Sequence, residues 1–168
     1  MKTVPRLPLT VILDNVRSAY NVGSVLRTAD CAWIERVVTC GITPHAQHPK
    51  VKKTALGSED IMHTAHYPTL ADGIRALRDE GKIAIYAMEI TDRSQSLWAQ
   101  PPDVFTGRAA LIFGSETEGV QLNVTQSFDI PEVHLPQFGV KQSLNVASAA
   151  AIAVYHWRYM ATQAGALE

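Results

Sequence analysis

No GxG triplet occurs anywhere in the sequence, which removes the dinucleotide fingerprint of a strand, glycine turn and helix. The nearest approach to a phosphate loop is GSETEGV at 114–120, where Gly114 and Gly119 are correctly separated. Val120 follows where lysine would be needed, and Glu116 and Glu118 between the glycines would repel phosphate. Cysteine is scarce. Cys31 and Cys40 form no CxxC pair and no disulfide framework. No apolar run approaches the roughly 18–20 residues needed to span a bilayer. The segment LPLTVIL is short and runs into Asp14-Asn15, so a strand is expected there in place of a signal peptide. These absences set the expectation of a reducing, cytoplasmic setting without membrane association, and Asn123-Val124-Thr125 is read as a chance glycosylation sequon. A surplus of charge is missing too: 15 Lys and Arg against 16 Asp and Glu leave a formal net charge of −1. There is no global basic field, so any phosphate contact must come from a local patch.

What is present fits one globular domain: 168 residues, 46% hydrophobic and 18% charged. Strand and helix signals alternate. LTVIL (9–13), RVVTCG (36–41), KIAIYAM (82–88), AALIF (109–113) and EVHLP (132–136) read as five strands. Residues 21–33, 69–80 and 144–159 read as helices, with Gly81 as a stop after the second. The alternation predicts an α/β fold with a mostly parallel, doubly wound sheet. Ligands of such sheets lie outside the carboxyl ends of the strands, which directs attention to 14–21, 88–91, 114–119 and 136–145.

Within NVGSVLRTAD (21–30), Val22, Val25, Leu26 and Ala29 recur at helical spacing. Arg27 lies off that row. Six residues at about 1.5 Å per residue put its Cα roughly 9 Å from that of Asn21, and helical side chains tilt back towards the N-terminus. Its guanidinium is therefore either solvated or aimed at the helix entrance. GSETEGV is either a plain acidic turn or a loop presenting a carboxylate to a polar or cationic ligand. In LPQFGVKQSLNVASAAAIAVYHW (135–157), Gly139 permits a turn and Ser143 or Asn145 is available to cap the following helix. Residues 146–153 are so uniformly small and apolar that this helix is expected to be buried on several sides. HAQH (45–48) and HTAH (63–66) are two His-x-x-His pairs, but they lack Cys or acidic partners at matching spacing, so no metal site is expected. HPKVKK (48–53) concentrates Lys50, Lys52 and Lys53 in an expected loop, the best local candidate for phosphate contact.

Three stretches together resemble the three motifs of the SpoU (TrmH-like) RNA ribose 2′-O-methyltransferases of the SPOUT superfamily. They are NVRSAYNVGSVLRTAD (15–30), ALIFGSETEGV (110–120) and HLPQFGVKQSLNVASAAAIAVYHW (134–157), in the family's order and spacing. The resemblance runs from about residue 9 to 158. It implies a single methyltransferase domain over 1–168, a C-terminal segment threaded into a deep trefoil knot, an S-adenosylmethionine pocket formed by that knot, and a homodimer. Carried over by position, the catalytic residues correspond to Asn21, Arg27, Glu116, Ser143 and Asn145. The cofactor loops correspond to Met88, Gly114, Leu135, Ser143 and Leu144. The implied reaction is attack of a ribose 2′-oxygen on a sulfonium methyl. RNA would be gripped by Arg17, Lys50, Lys52 and Lys53, with tRNA favoured over rRNA. A non-catalytic RNA-binding module on the same fold is the alternative from another class.

Overall fold

The computed structural model describes residues 4–167. Its seven strands form one sheet in the order β3-β2-β1-β6-β4-β7-β5, and every pairing among the described residues is parallel. The strands are β1 Leu7–Asp14, β2 Ile34–Cys40, β3 His63–Tyr67, β4 Ala84–Met88, β5 Gln95–Ser96, β6 Ala109–Phe113 and β7 Glu132–His134. The helices are α1 Ala19–Ala32, α2 Pro49–Ala55, α3 Ser58–Ile61, α4 Leu70–Asp79, α5 Leu122–Ser127 and α6 Val146–Gln163.

The expected mostly parallel α/β sheet is present, with both faces covered. Period-two alternation sends Leu7, Leu9, Val11 and Leu13 of β1 to one face, where they pack with α1 and α6. Ile12 points to the other, against Leu70, Ile74 and Leu77 of α4. Trp157 of α6 is fully buried and meets the rings of Phe105 at 4.7 Å and Tyr86 at 5.7 Å. The helices start where local chemistry allows. The Ser18 hydroxyl accepts from Asn21 N (3.3 Å) at the entrance of α1, and the Thr69 hydroxyl from Asp72 N (3.1 Å) at that of α4. α1 stops at Trp33, which takes the left-handed conformation that ends many helices.

Several elements differ from the sequence reading. There are seven strands, not five. HTAH is the core of edge strand β3, and β5 is a two-residue strand seated on β7. HPKVKK is not a loop. Pro49 occupies the first helical turn of α2, and the His48 ring accepts from Lys50 N (3.1 Å) as its cap, so the lysines ride on a helix. LNVTQS, including the sequon asparagine, forms α5.

Two features of the topology matter for the site. β1 lies between β2 and β6, so the chain order reverses beside it and a crevice opens at the carboxyl ends of β1 and β6. β7 is inserted between β4 and β5, both of which precede it in sequence.

α1 is pinned against α2 at Gly23. A Cβ there would stand 2.0 Å from Thr54 Oγ1 and 2.3 Å from the Val51 carbonyl oxygen. Glycine usually costs a helix about 1 kcal/mol relative to alanine, so Gly23→Ala ought to stabilise α1 if it were free. Here overcrowding, typically about 1–3 kcal/mol, is expected to win. Urea denaturation should show a lower midpoint for Gly23→Ala, whereas a raised midpoint would mean that the two helices do not touch this closely.

A candidate active site at the strand crossover

A cleft of about 630 Å³ opens at the carboxyl ends of β4, β6 and β7. Met88, Gly114, Leu135, Ser143 and Leu144 all line it, as do Glu116 and Asn145. The second and third segments singled out in the sequence thus meet at this cleft. Gly114 is required here by close approach: a Cβ on it would lie 1.9 Å from the carbonyl carbon of Gly119. The loop closes on itself through paired backbone bonds between Ser115 and Gly119 (3.1 and 3.0 Å), and Gly119 has a φ of +70°.

A chain of hydrogen bonds ties the three segments together. Asn145 caps α6, its Oδ1 accepting from Ala147 N (2.9 Å) and Ser148 N (3.2 Å). That fixes the amide orientation, because the oxygen must face the helix and the Nδ2 must point away. The Nδ2 donates to Asn21 Oδ1 (3.2 Å), so Asn21 in turn presents its Nδ2 to Glu116 Oε1 (3.0 Å). Glu116 also accepts from Arg17 N (3.0 Å) and Ser18 N (3.1 Å) just before α1. Three donors that reach the carboxylate, Arg17 N, Ser18 N and Asn21 Nδ2, favour its charged form. Burial alone would push the Glu116 carboxyl up. The backbone bond from Arg17, one within its own loop, the Asn21 amide and Ser18 N outweigh that and hold it below the ordinary 4.5.

Of the two capping candidates, Asn145 does the capping and Ser143 is left exposed on the cleft wall. Arg27 is elsewhere. It makes no hydrogen bond or ion pair among the described residues and lines a separate shallow hollow with Lys53, Cys31 and Tyr155. Of the two readings left open for Arg27, solvated or aimed at the helix entrance, the second finds no bond among the described residues that ties its guanidinium to Asn21. The reasoning on rise ignored rotation: six residues turn a helix by about 600°, leaving the two side chains about 120° apart around the axis. Arg17, Lys50, Lys52 and Lys53 are all exposed, the three lysines on α2 beside α1. The histidine pairs are in other use. His48 caps α2, and His66 Nδ1 lies 2.8 Å from the Thr39 hydroxyl. Among the described residues no group of three or more potential metal-ligating side chains converges, and no helix is long and apolar enough to cross a membrane.

The cleft also contains residues that motif reading missed. Glu89, Thr91 and His134 line it. Glu89 Oε2 accepts from Val120 N (3.0 Å), clasping the end of β4 to the 114–120 loop. The strand-end rule flagged 88–91 as a region, but nothing local marks which of its side chains turn inward.

Comparison with known proteins agrees with this geometry. Residues 8–155 match the sequence model of the SpoU rRNA Methylase family. The tRNA (guanosine(18)-2'-O)-methyltransferase of Thermus thermophilus is 28% identical over 157 residues, covering 94% of this chain and 77% of that protein. The 23S rRNA (guanosine(2553)-2'-O)-methyltransferase RlmP of Bacillus subtilis is 31% identical over 151 residues, covering 88% of this chain and 57% of that protein. The crystal structure of the SpoU methyltransferase AviRb from Streptomyces viridochromogenes, in complex with the cofactor AdoMet, matches with a TM-score of 0.81 at 24% identity, over 95% of this chain and 63% of that one, a likeness of fold. The chain therefore spans less than two thirds of the length of the last two.

The relay makes the Glu116 titration a reporter of Asn21. In Asn21→Ala, the Glu116 carboxyl should titrate closer to 4.5, followed by side-chain ¹³C NMR. Because the folded value is lowered, the relay stabilises the fold above the unfolded value of 4.5 and that contribution is lost as pH falls through the folded one. Asn21→Ala should accordingly lose less stability on the acid side than the unaltered chain. A Glu116 titration indifferent to the substitution would remove Asn21 from the relay.

Proposed function

The chain belongs to the SpoU rRNA methylase family, and from that membership and the site we propose that it is an S-adenosylmethionine-dependent RNA methyltransferase acting on a ribose 2′-oxygen, with tRNA as substrate. The observation that carries the reading is the Glu116–Asn21–Asn145 relay standing at a cleft lined by all five residues expected to hold the cofactor. A single methyltransferase domain over 1–168 is part of the same reading. So are a cytoplasmic setting and a C-terminal segment threaded into a trefoil knot. The placing of β7 between two strands that precede it supports the threading.

The cleft fits the cofactor on chemistry as well as size. Small-molecule sites commonly occupy about 300–1,000 Å³ and mix apolar walls with a few polar groups. Met88, Leu135 and Leu144 offer an apolar bed for an adenine ring, and the carboxylates of Glu89 and Glu116 suit a cationic ligand. When bound, S-adenosylmethionine supplies a methyl group activated by its positively charged sulfur. The work left to the chain is to hold a 2′-oxygen in line with that methyl and to favour negative charge on the oxygen. Glu116, Asn21 and Asn145 fix the entrance of α1 relative to the cleft. Arginine keeps its proton throughout the working pH range and is a poor general base. Arg27 therefore acts as a fixed cation that favours alkoxide character on the ribose, with the proton passing to phosphate or water.

The position of Arg27 supports a homodimer. It lies outside its own chain's cleft, on a flank where Ile152, Tyr155 and Tyr159 of α6 are also exposed. Pairing through that flank is the route by which Arg27 meets a cleft, that of the second copy. Arg17 and the lysines of α2 then grip RNA phosphates. Relatives acting on tRNA and on rRNA both match, and the match covers more of the tRNA-modifying one, which supports tRNA.

The test is methyl transfer from labelled S-adenosylmethionine to purified tRNA and rRNA offered separately. Alkali-resistant dinucleotides from the tRNA pool are expected. The same products from rRNA alone would make rRNA the substrate, and cofactor binding without transfer to either would favour the RNA-binding module. Arg27→Ala should lower kcat by about 10²–10³ and leave cofactor affinity unchanged. Mixing Arg27→Ala with Asn145→Asp, each expected to be impaired alone, should raise activity above either if Arg27 serves the second copy's cleft. No recovery after verified subunit exchange would put Arg27 back with its own chain.

A further inference from the structure

Behind the cleft wall lies a charged side chain that neither the relay nor the motifs involve. Glu132 opens β7, its side chain only 4% exposed, and it does not line the cleft. An anion taken this far out of water survives only if its oxygens are satisfied. They are. One oxygen accepts from Arg93 Nη2 (2.9 Å) and Gln126 Nε2 (3.0 Å), and the other takes the hydroxyl proton of Thr91 in a short contact. Those hydrogen bonds, with Thr91 the largest contributor, hold the carboxyl below its ordinary range.

Thr91 is the hub of the segment 89–94. Its hydroxyl oxygen accepts from Arg93 N (3.2 Å) and Ser94 N (3.1 Å). Its own backbone N–H donates to Ser94 Oγ (3.0 Å), and Ser94 Oγ donates back to the Thr91 carbonyl (2.9 Å). Ser94 Oγ also lies 2.9 Å from His134 Nδ1 on β7. That contact ties the segment to β7 through the Ser94 hydroxyl and the His134 ring. Glu89, Ile90 and Thr91 line the cleft, as do His134 at the end of β7 and Leu135 just after it. The segment has little apolar anchorage of its own, since Ile90, Asp92 and Arg93 are exposed.

We propose that Glu132 is a positioning residue for the cofactor: by drawing the Thr91 hydroxyl onto β7 it holds the 89–94 wall at the width the ligand needs. The inference rests on the methyltransferase reading of the cleft. It places Glu132 and Thr91 in cofactor affinity, separate from the Arg27 step and from RNA contact.

The test compares Glu132→Gln, Thr91→Val and Thr91→Ser in the full chain. Glu132→Gln replaces one acceptor oxygen by a donor, leaving the Thr91 proton unplaced. Thr91→Val removes the hub, and Thr91→Ser keeps its hydroxyl. Binding of S-adenosylhomocysteine is measured by calorimetry, alongside KM for cofactor, KM for RNA and kcat. Binding by the unaltered chain checks the methyltransferase reading by itself. Given that, Glu132→Gln and Thr91→Val should weaken S-adenosylhomocysteine about tenfold and raise the cofactor KM in step, with the RNA KM unchanged. Thr91→Ser should recover most of the loss. Unchanged cofactor affinity in both would overturn the proposal. So would a loss confined to the active fraction, seen as lower kcat with both KM values intact, which is what a merely structural role predicts. If Glu132→Gln does not fold, the Thr91→Val and Thr91→Ser pair decides alone.

Discussion

The orientation of one amide, that of Asn145, governs much of the rest. The first turn of α6 needs an acceptor for Ala147 N and Ser148 N, and satisfying it commits the Asn145 oxygen. The remaining donor can only travel outward, through Asn21 to Glu116. Glu116 meanwhile serves the backbone ahead of α1. Three segments, with the 114–120 loop 95 residues and the α6 cap 124 residues along the chain from Asn21, are thus locked in register by a one-way series of donors ending on an anion. Neither asparagine can be turned over without setting oxygen against oxygen or nitrogen against nitrogen. An aspartate at either position preserves shape and removes a donor, which is why amides and not carboxylates stand there.

The scaffold makes that convergence possible. β1 and β6 are neighbours whose connections leave in opposite directions, so the loops following them face each other across a crevice. Gly114 lets the second loop fold back onto Gly119, bringing Glu116 to the start of α1. β7 and α6 then supply the third side. Catalytic geometry in this arrangement comes from strand ends and helix starts, the most rigid places available for loops to begin.

Much of the fold was legible in the sequence, and what escaped did so for identifiable reasons. The helix read over 69–80, with Gly81 as its stop, matches α4 to within a residue at each end. β1 and β6 were equally clear as continuous apolar runs. α2 was missed because its lysines outnumber its apolar residues, and the proline that suggested a loop sits where a helix tolerates it. β5 exists only because β7 lies beside it, a tertiary fact no local pattern records. In the site, the resemblance gathered Asn21, Glu116 and Asn145, but not the direction of the hydrogen bonds between them. For Arg27 the sequence left two readings open, because axial distance alone, without angular position, does not say where the side chain points. Glu132 reads in sequence as one more surface glutamate, since its burial is imposed by Thr91, Arg93 and Gln126 from elsewhere.

The insertion of β7 between β4 and β5 has a bearing on how the chain comes to be folded at all. Until β7 arrives, β4 presents an open edge and β5 has no partner in the sheet. The pairings of β7 join residues about forty apart, so they close later than the local contacts of a helix do. The same late segment carries Leu135, Ser143, Leu144 and Asn145. During synthesis the ligand cleft is therefore the last thing to come into being. A nascent chain halted before residue 132 has Met88 and Gly114 in place but lacks Leu135, Ser143 and Leu144, so the cleft stands open on one side.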